Sequence, residues 1–163
     1  MRQANLTLDG MRRGVWDSGV FYLALTENVL MSWFCRQEMR CAIELGRPVQ
    51  LVLEEEPRFA PFDLVAWAEF SAAMERTEGT NLETVTEQVG DELQVTEVCL
   101  VPDSPFDRLP APIWRMVRDN LPEAVTYRRR DFEHREKRPT KALRSFRLTG
   151  FCVELEFFTL STP

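Results

Sequence analysis

Residues 20–49 read VFYLALTENVLMSWFCRQEMRCAIELGRPV, and their pattern predicts a strand, a helix and a second strand. Residues 20–25 are a short apolar run rich in aromatic and β-branched side chains, which predicts a strand buried on both faces. Ser32 is a good N-cap for the helix that follows. Gly46 fits a left-handed C-terminal cap, and Pro48 keeps the helix from continuing into the second strand.

Glu38 is the exceptional residue of this helix. At about 100° per residue, most of the large apolar side chains fall on one broad arc: Phe34, Cys35, Met39, Cys41, Ala42, Ile43 and Leu45. Glu38 lies inside that arc, apart from the polar face of Arg36, Gln37, Arg40 and Glu44. An unpaired carboxylate buried there would cost several kcal/mol or stay protonated. Two interpretations remain open. Either the helix lies near a sheet edge and Glu38 pairs with an arginine or reaches water, or Glu38 lines a cleft at the carboxyl end of the sheet.

The same residues carry a family resemblance. Ser32, Phe34, Cys35 and Glu38 have the spacing of the Ser-x-Trp-Cys-x-x-Glu-Leu signature of Toll/interleukin-1 receptor (TIR) domains, with Phe in place of Trp and Met39 in place of Leu. The strand before the signature and the Gly-x-Pro-Val of residues 46–49 also resemble the TIR core. Residues 53–63 and 127–133 are similar to segments of some TIR domains. The resemblance covers residues 8–70 well and 110–138 more loosely.

The resemblance implies an α/β fold, a flavodoxin-like parallel sheet with helices on both faces. A TIR domain normally opens with a further strand and helix, and residues 1–19 offer no counterpart to them. We therefore expect a TIR-like domain over residues 1–148 that is incomplete at its N-terminal end. Residues 149–163 form a separate strand-like tail, because apolar and polar side chains alternate from Phe151 to Leu160.

The functions that the resemblance implies belong to two classes. The first is an intracellular signal-transduction module that acts through association with TIR domains of the same or other proteins, including homo-oligomers. The alternative is an NAD+ glycohydrolase (NAD+ nucleosidase), in which Glu38 would be the catalytic residue and Trp33 or Phe34 would pack near the bound nucleotide. NAD+ would then be a substrate and not a cofactor. A third hypothesis is an inactive TIR remnant shortened at its N-terminus.

Composition excludes several other classes. The net charge of −6 argues against non-specific nucleic-acid binding. No apolar run approaches the roughly 18 residues that a membrane helix needs, and the N-terminus lacks a signal-peptide pattern. The four cysteines form no Cys-x-x-Cys pair, and His134 is the single histidine. The sequence therefore predicts a cytoplasmic protein with reduced thiols, no metal site, and neither a membrane nor a nucleic-acid partner.

The rest of the chain gives weaker signals. Residues 1–14 suggest an entry loop, and residues 11–18 suggest the end of a short helix that leads into the first strand. Glu54–Glu56 suggests a solvated acidic loop, with metal binding as the alternative. Asp63 is a plausible N-cap for a helix over residues 64–75. Further predictions are a surface loop or frayed helix over 77–91, a strand over 93–101, a helix over 113–121 and a strand over 124–127. The basic residues between 128 and 147 form either a solvated helix or a surface for phosphate or an acidic partner.

Overall fold

The computed structural model describes residues 8–56, 60–77 and 80–127, and the backbone of two further short strands. The helices are α1 (Leu8–Asp17), α2 (Trp33–Glu44), α3 (Leu64–Arg76) and α4 (Ala111–Asn120). The strands are β1 (Phe21–Leu25), β2 (Val49–Glu54), β3 (Leu82–Val89), β4 (Glu92–Cys99), β5 (Val125–Tyr127), β6 (Leu143–Ser145) and β7 (Glu156–Phe158).

A three-stranded parallel sheet in the order β1-β2-β5 organises the molecule. Phe21 pairs with Val49 at one end of the β1–β2 ladder, and Val52 pairs with Val125 where β5 joins β2. Neighbouring residues of a strand point to opposite faces of the sheet. Leu51 and Val52 are neighbours in β2, and both are buried. Both faces of β2 are therefore covered, and the prediction of a mixed α/β chain with a parallel sheet is confirmed.

Strand β1 is less buried than its sequence predicts. Phe21, Leu23 and Leu25 are buried, whereas Tyr22 and Ala24 on the opposite face are only half-buried. The strand stands at the end of the β1-β2-β5 order, where a sheet face is less completely covered than at its centre. The location of the strand is confirmed, and its burial on both faces is wrong.

Helix α2 begins and ends where its sequence predicts. The Ser32 carbonyl accepts a hydrogen bond from the Arg36 N–H (2.9 Å), although the Ser32 side chain makes no capping bond. At the other end, Gly46 has a φ of +59° and its N–H donates to the Ile43 carbonyl (3.0 Å). The Arg47 N–H donates to the Ala42 carbonyl (2.9 Å), which completes a Schellman cap. Gly46 is needed here because a side chain in this left-handed conformation is strained.

Helix α3 is capped by Asp63, whose Oδ1 accepts from the N–H groups of Val65 (3.0 Å) and Ala66 (2.9 Å). Its inner face builds an aromatic cluster, in which neighbouring rings have centroids 5.3–5.8 Å apart; its members are Phe62, Trp67, Phe70 and Phe106. The buried Trp114 of α4 donates from Nε1 to the Ser71 hydroxyl of α3 (3.1 Å). The predicted cap of this helix is confirmed.

Two sequence-based predictions of irregular structure are wrong. Residues 82–89 are not a loop or frayed helix but strand β3, which pairs antiparallel with β4. Leu82 lies opposite Cys99 at one end of this ladder, and Val89 lies opposite Glu92 at the other. Most of its side chains are exposed, so the ladder depends on hydrogen bonds and β-branched residues more than on burial. The short helix expected over residues 11–18 is present as α1, but it begins at Leu8, inside the predicted entry loop, and its Val15 is fully buried.

The C-terminal half follows its prediction with shifted boundaries. Helix α4 begins two residues before the predicted Ile113, and Leu121–Glu123 forms a 3-10 turn that leads into β5. Of the predicted tail strand, Glu156–Phe158 is described and pairs antiparallel with Leu143–Ser145. Most of the basic stretch between 128 and 147 lies outside the described residues. No helix in the described part of the chain is long and apolar enough to cross a bilayer.

Candidate functional site

The loops that follow β1 and β2 meet at the carboxyl edge of the parallel sheet. Thr26 forms a bridge with Pro61, and the Glu27 N–H donates to the Ala60 carbonyl (2.9 Å). Because β1 and β2 run parallel, helices α2 and α3 both begin at this edge. Open parallel sheets bind their ligands at such an edge.

Glu38, in the second turn of α2, is buried with 7% of its surface exposed. Its carboxylate has no hydrogen-bond or ion-pair partner among residues 8–56, 60–77 and 80–127. Burial raises the pKa of Glu38 from its usual 4.5 to about 7, because a desolvated carboxylate favours its neutral form. The position of Glu38 inside the apolar arc, which the sequence predicts, therefore has a real electrostatic cost.

Two arginines lie close enough to affect this region, but both have other partners. The pKa of the Cys41 thiol, one turn after Glu38, is raised chiefly by burial and lowered by the nearby charges of Arg12 and Arg47. Arg12 pairs with Glu92 (3.0 Å), and Arg47 donates to the Trp16 carbonyl. The alternative in which an arginine neutralises Glu38 is therefore not realised within the described residues.

Trp33 and Phe34 form an exposed aromatic pair at the first turn of α2. Their rings are perpendicular, with centroids 5.0 Å apart, and 37% and 44% of the two residues are exposed. The sequence places Phe34 in the buried arc of the helix, which is wrong. Burial along α2 begins only at Glu38 and Met39, one turn further along.

The spacing of these residues defines the candidate site. Phe34 and Glu38 are four positions apart, so both lie on one face of α2, about 6 Å apart along its axis. The exposed ring of Phe34 therefore lies nearer the start of α2, and the buried carboxylate of Glu38 lies one turn further along the helix. A carboxylate with a pKa near 7 can either stabilise a developing cation or exchange a proton at neutral pH.

The three glutamates of the acidic run after β2 differ in burial. Glu54 is half-buried, Glu55 is exposed and Glu56 is buried, so the prediction of a fully solvated loop is wrong for Glu56. Glu54 turns back to accept a hydrogen bond from the Glu56 N–H (3.0 Å). No group of three acidic, histidine or cysteine side chains comes together within the described ranges. Cys35, Cys41 and Cys99 are free thiols, and Cys152 lies outside those ranges.

The polar face of α2 contacts the β3–β4 hairpin. Arg40 donates from Nη1 to Gln94 Oε1 (2.7 Å) and Thr96 Oγ1 (3.0 Å). This contact follows from the hairpin, which the sequence analysis missed. The signal was present in residues 84–98, where valines and threonines flank the Gly90-Asp91 turn.

No family model matches this chain, and no curated protein or solved structure matches it either.

Proposed function

We propose that this chain is a TIR-like signalling module that acts by associating with other TIR domains, including a second copy of itself. The β1–α2–β2 unit supports the proposal because it is a parallel strand-helix-strand unit that carries the signature from Ser32 to Glu38 between its strands. The parallel sheet and the coverage of both faces of β2 fit a flavodoxin-like arrangement.

The exposed pair of Trp33 and Phe34 carries this proposal. Large aromatic side chains are enriched at protein interfaces and depleted from ordinary surface. Leu64 and Val65 at the start of α3 are 47% and 71% exposed, and α3 begins at the same sheet edge. Apolar side chains on the first turns of two helices at one edge suit a protein partner.

Association should depend on the aromatic pair. We expect the purified chain to form oligomers whose proportion rises with concentration in sedimentation velocity. The double variant Trp33→Gln, Phe34→Gln should raise the dissociation constant of self-association at least about thirtyfold, as loss of an interface hot spot does. Trp16→Gln is the control, because Trp16 is 62% exposed on α1. A monomeric wild type at about 100 µM, or equal association of the double variant, would count against self-association.

A second candidate is an NAD+ glycohydrolase. The observation that favours it is the burial of Glu38 without a hydrogen-bond or ion-pair partner in the part of the chain that the structure describes. In this reaction the bond between the ribose C1′ and the nicotinamide nitrogen breaks, and its electron pair leaves with neutral nicotinamide. Ionised Glu38 would stabilise the oxocarbenium-like C1′ that remains. Water then adds to C1′ and releases a proton, which gives ADP-ribose. The adjoining Trp33 and Phe34 would hold the nucleotide against the mouth of the site.

Nicotinamide release from NAD+ tests this candidate. We expect Glu38→Gln to lose at least about a hundredfold in turnover, because an amide cannot supply the negative charge. Wild-type turnover should rise with pH and level off above about 7, where Glu38 is ionised. Glu44→Gln, on the exposed face of the same helix, should keep full activity. Absence of nicotinamide release from folded wild-type protein would remove this candidate and leave the association proposal standing.

A further inference from the structure

A second concavity opens on the other side of α2 from the candidate site. It lies between the polar face of α2, the β3–β4 hairpin and the start of α4, and its volume is about 610 Å³. This volume is within the range of about 300–1,000 Å³ that small-molecule sites occupy. Glu38 is not among the residues that line it.

Polar contacts between elements fix the walls of this concavity. Arg40 connects α2 to β4 through Gln94 and Thr96, and its Nε also donates to Glu44 on its own helix (2.8 Å). At the opposite end, Val98 bridges Pro110, which holds β4 against the segment that precedes α4. The shape therefore results from contacts that three separate elements share, which is typical of a preformed site.

The lining combines an apolar surface with few available charges. Its apolar part comes from α2, both strands of the hairpin and the start of α4: Ile43, Val85, Val95, Val98, Pro110 and Ile113. Arg40 is bonded to three partners, and Arg108 pairs with Glu83 (3.3 Å). These two guanidinium groups are therefore already largely occupied.

Arg36 is the lining cation that remains available. Arg36 is half-buried, and its guanidinium forms no hydrogen bond or ion pair with the residues that the structure describes. Two lining carboxylates oppose it: Glu87 on β3 has no such partner, and Glu97 on β4 pairs with Arg115 at 3.9 Å. Both are exposed, so water screens their charges more than that of Arg36. A charge at a partly buried position interacts more strongly with a ligand than a fully solvated one. The stronger attraction is therefore for an anion at Arg36, and guanidinium geometry suits a carboxylate.

We propose that this concavity binds a small molecule with an apolar body and a carboxylate group. The carboxylate pairs with the guanidinium of Arg36, and the apolar body covers the valine and isoleucine side chains of β4 and α4. The site is independent of Glu38 and of the aromatic pair at the sheet edge, so its failure would leave the proposed function unaffected.

Decanoate titrated into ¹⁵N-labelled chain is the test, with amide chemical shifts as the readout. We expect saturable shifts confined to residues that line the concavity, and we expect Arg36→Gln to raise the dissociation constant at least about tenfold by removing a charge-assisted pair. Arg13→Gln, at an exposed arginine of α1 outside the lining, should leave binding unchanged. Decyltrimethylammonium, which has the same chain length and the opposite charge, should bind at least about tenfold more weakly than decanoate.

A second pair of variants tests the apolar wall without disturbing the core. Val95 and Leu93 are 62% and 74% exposed on β4, but only Val95 lines the concavity. Val95→Asp should abolish decanoate binding and Leu93→Asp should preserve it. The proposal is wrong if no saturable shift occurs up to about 1 mM decanoate, if the shifts map elsewhere, or if Arg36→Gln or Val95→Asp binds as wild type does. Equal binding of decyltrimethylammonium would likewise overturn it.

Discussion

Replacing Glu38 with glutamine is expected to stabilise the folded chain by about 3 kcal/mol at pH 8 and by less than about 1 kcal/mol at pH 4.5. The folded pKa of Glu38 is about 7, above the 4.5 of an exposed glutamate. The folded chain therefore binds this proton more tightly than the unfolded chain does. Ionisation destabilises the fold progressively as pH rises from about 4.5 to about 7, and the full cost remains above that. Glutamine has nearly the same shape and never ionises.

Urea denaturation of both proteins at the two pH values measures this difference. Glu44→Gln is the matched control, because Glu44 is an exposed carboxylate on the same helix that pairs with Arg40 (2.8 Å). Its loss should change the free energy of unfolding by no more than about 0.5 kcal/mol at either pH. If Glu38→Gln gives the same change in stability at pH 4.5 and pH 8, the carboxylate is solvated and has an ordinary pKa.

The Glu38 result also bears on function. A group that destabilises the native state persists when selection for activity retains it. A variant that gains stability and loses nicotinamide release would show such a trade-off directly. If Glu38→Gln gains stability and keeps the oligomeric state of the wild type, Glu38 does not contribute to the association surface.

Replacing Phe70 with alanine is expected to lower the free energy of unfolding by about 3–5 kcal/mol. Phe70 is 1% exposed, and its ring lies 5.7 Å from that of Trp67 and 5.6 Å from that of Phe106 between centroids. Alanine removes the ring and leaves a cavity that the two neighbouring aromatic side chains, Trp67 and Phe106, cannot fill without moving. Urea denaturation followed by tryptophan fluorescence reports the change, because Trp67 lies in the cluster.

Two further variants make the Phe70 result specific. Phe70→Leu keeps most of the volume and should cost well under half as much, and Glu69→Ala at the neighbouring exposed position should lie within about 0.5 kcal/mol of wild type. A wild type that unfolds without a cooperative transition would contradict the expected core and would favour an inactive remnant. A Phe70→Ala variant as stable as wild type would show that the aromatic cluster does not close around α3.

The sequence predicts helices α2 and α3 well because their ends depend on local chemistry. Gly46 must adopt a positive φ for the cap of α2, and Asp63 can reach the first N–H groups of α3 without help from the rest of the chain. Helical periodicity also predicts that Glu38 lies inside the apolar arc. It does not predict which members of that arc are buried, since Phe34 on the same arc is exposed. The raised pKa of Glu38 depends on how far the fold desolvates the carboxyl group, which the sequence does not give.

The features that the sequence analysis missed depend on long-range packing. Strand β3 is polar on most of its surface, so its strand character follows from pairing with β4 and not from a hydrophobic pattern. The exposure of Phe34 depends on how far α2 extends beyond the sheet, which periodicity does not give. The concavity beside Arg36 was not predictable either, because it forms only where the β3–β4 hairpin lies against α2.

The central position of β2 has a consequence for the order in which the chain is made and folded. Its partner β1 is close in sequence, since the paired residues Phe21 and Val49 are 28 positions apart. Its other partner β5 is synthesised later, since Val125, which pairs with Val52, follows it by 73 positions. At about 5–20 residues per second, a ribosome needs roughly 4–15 s to add those residues. During that interval the far edge of β2 stays unpaired in the nascent chain, where it is open to mispairing with other strands. Protection of this edge during synthesis would therefore reduce mispairing of the nascent chain.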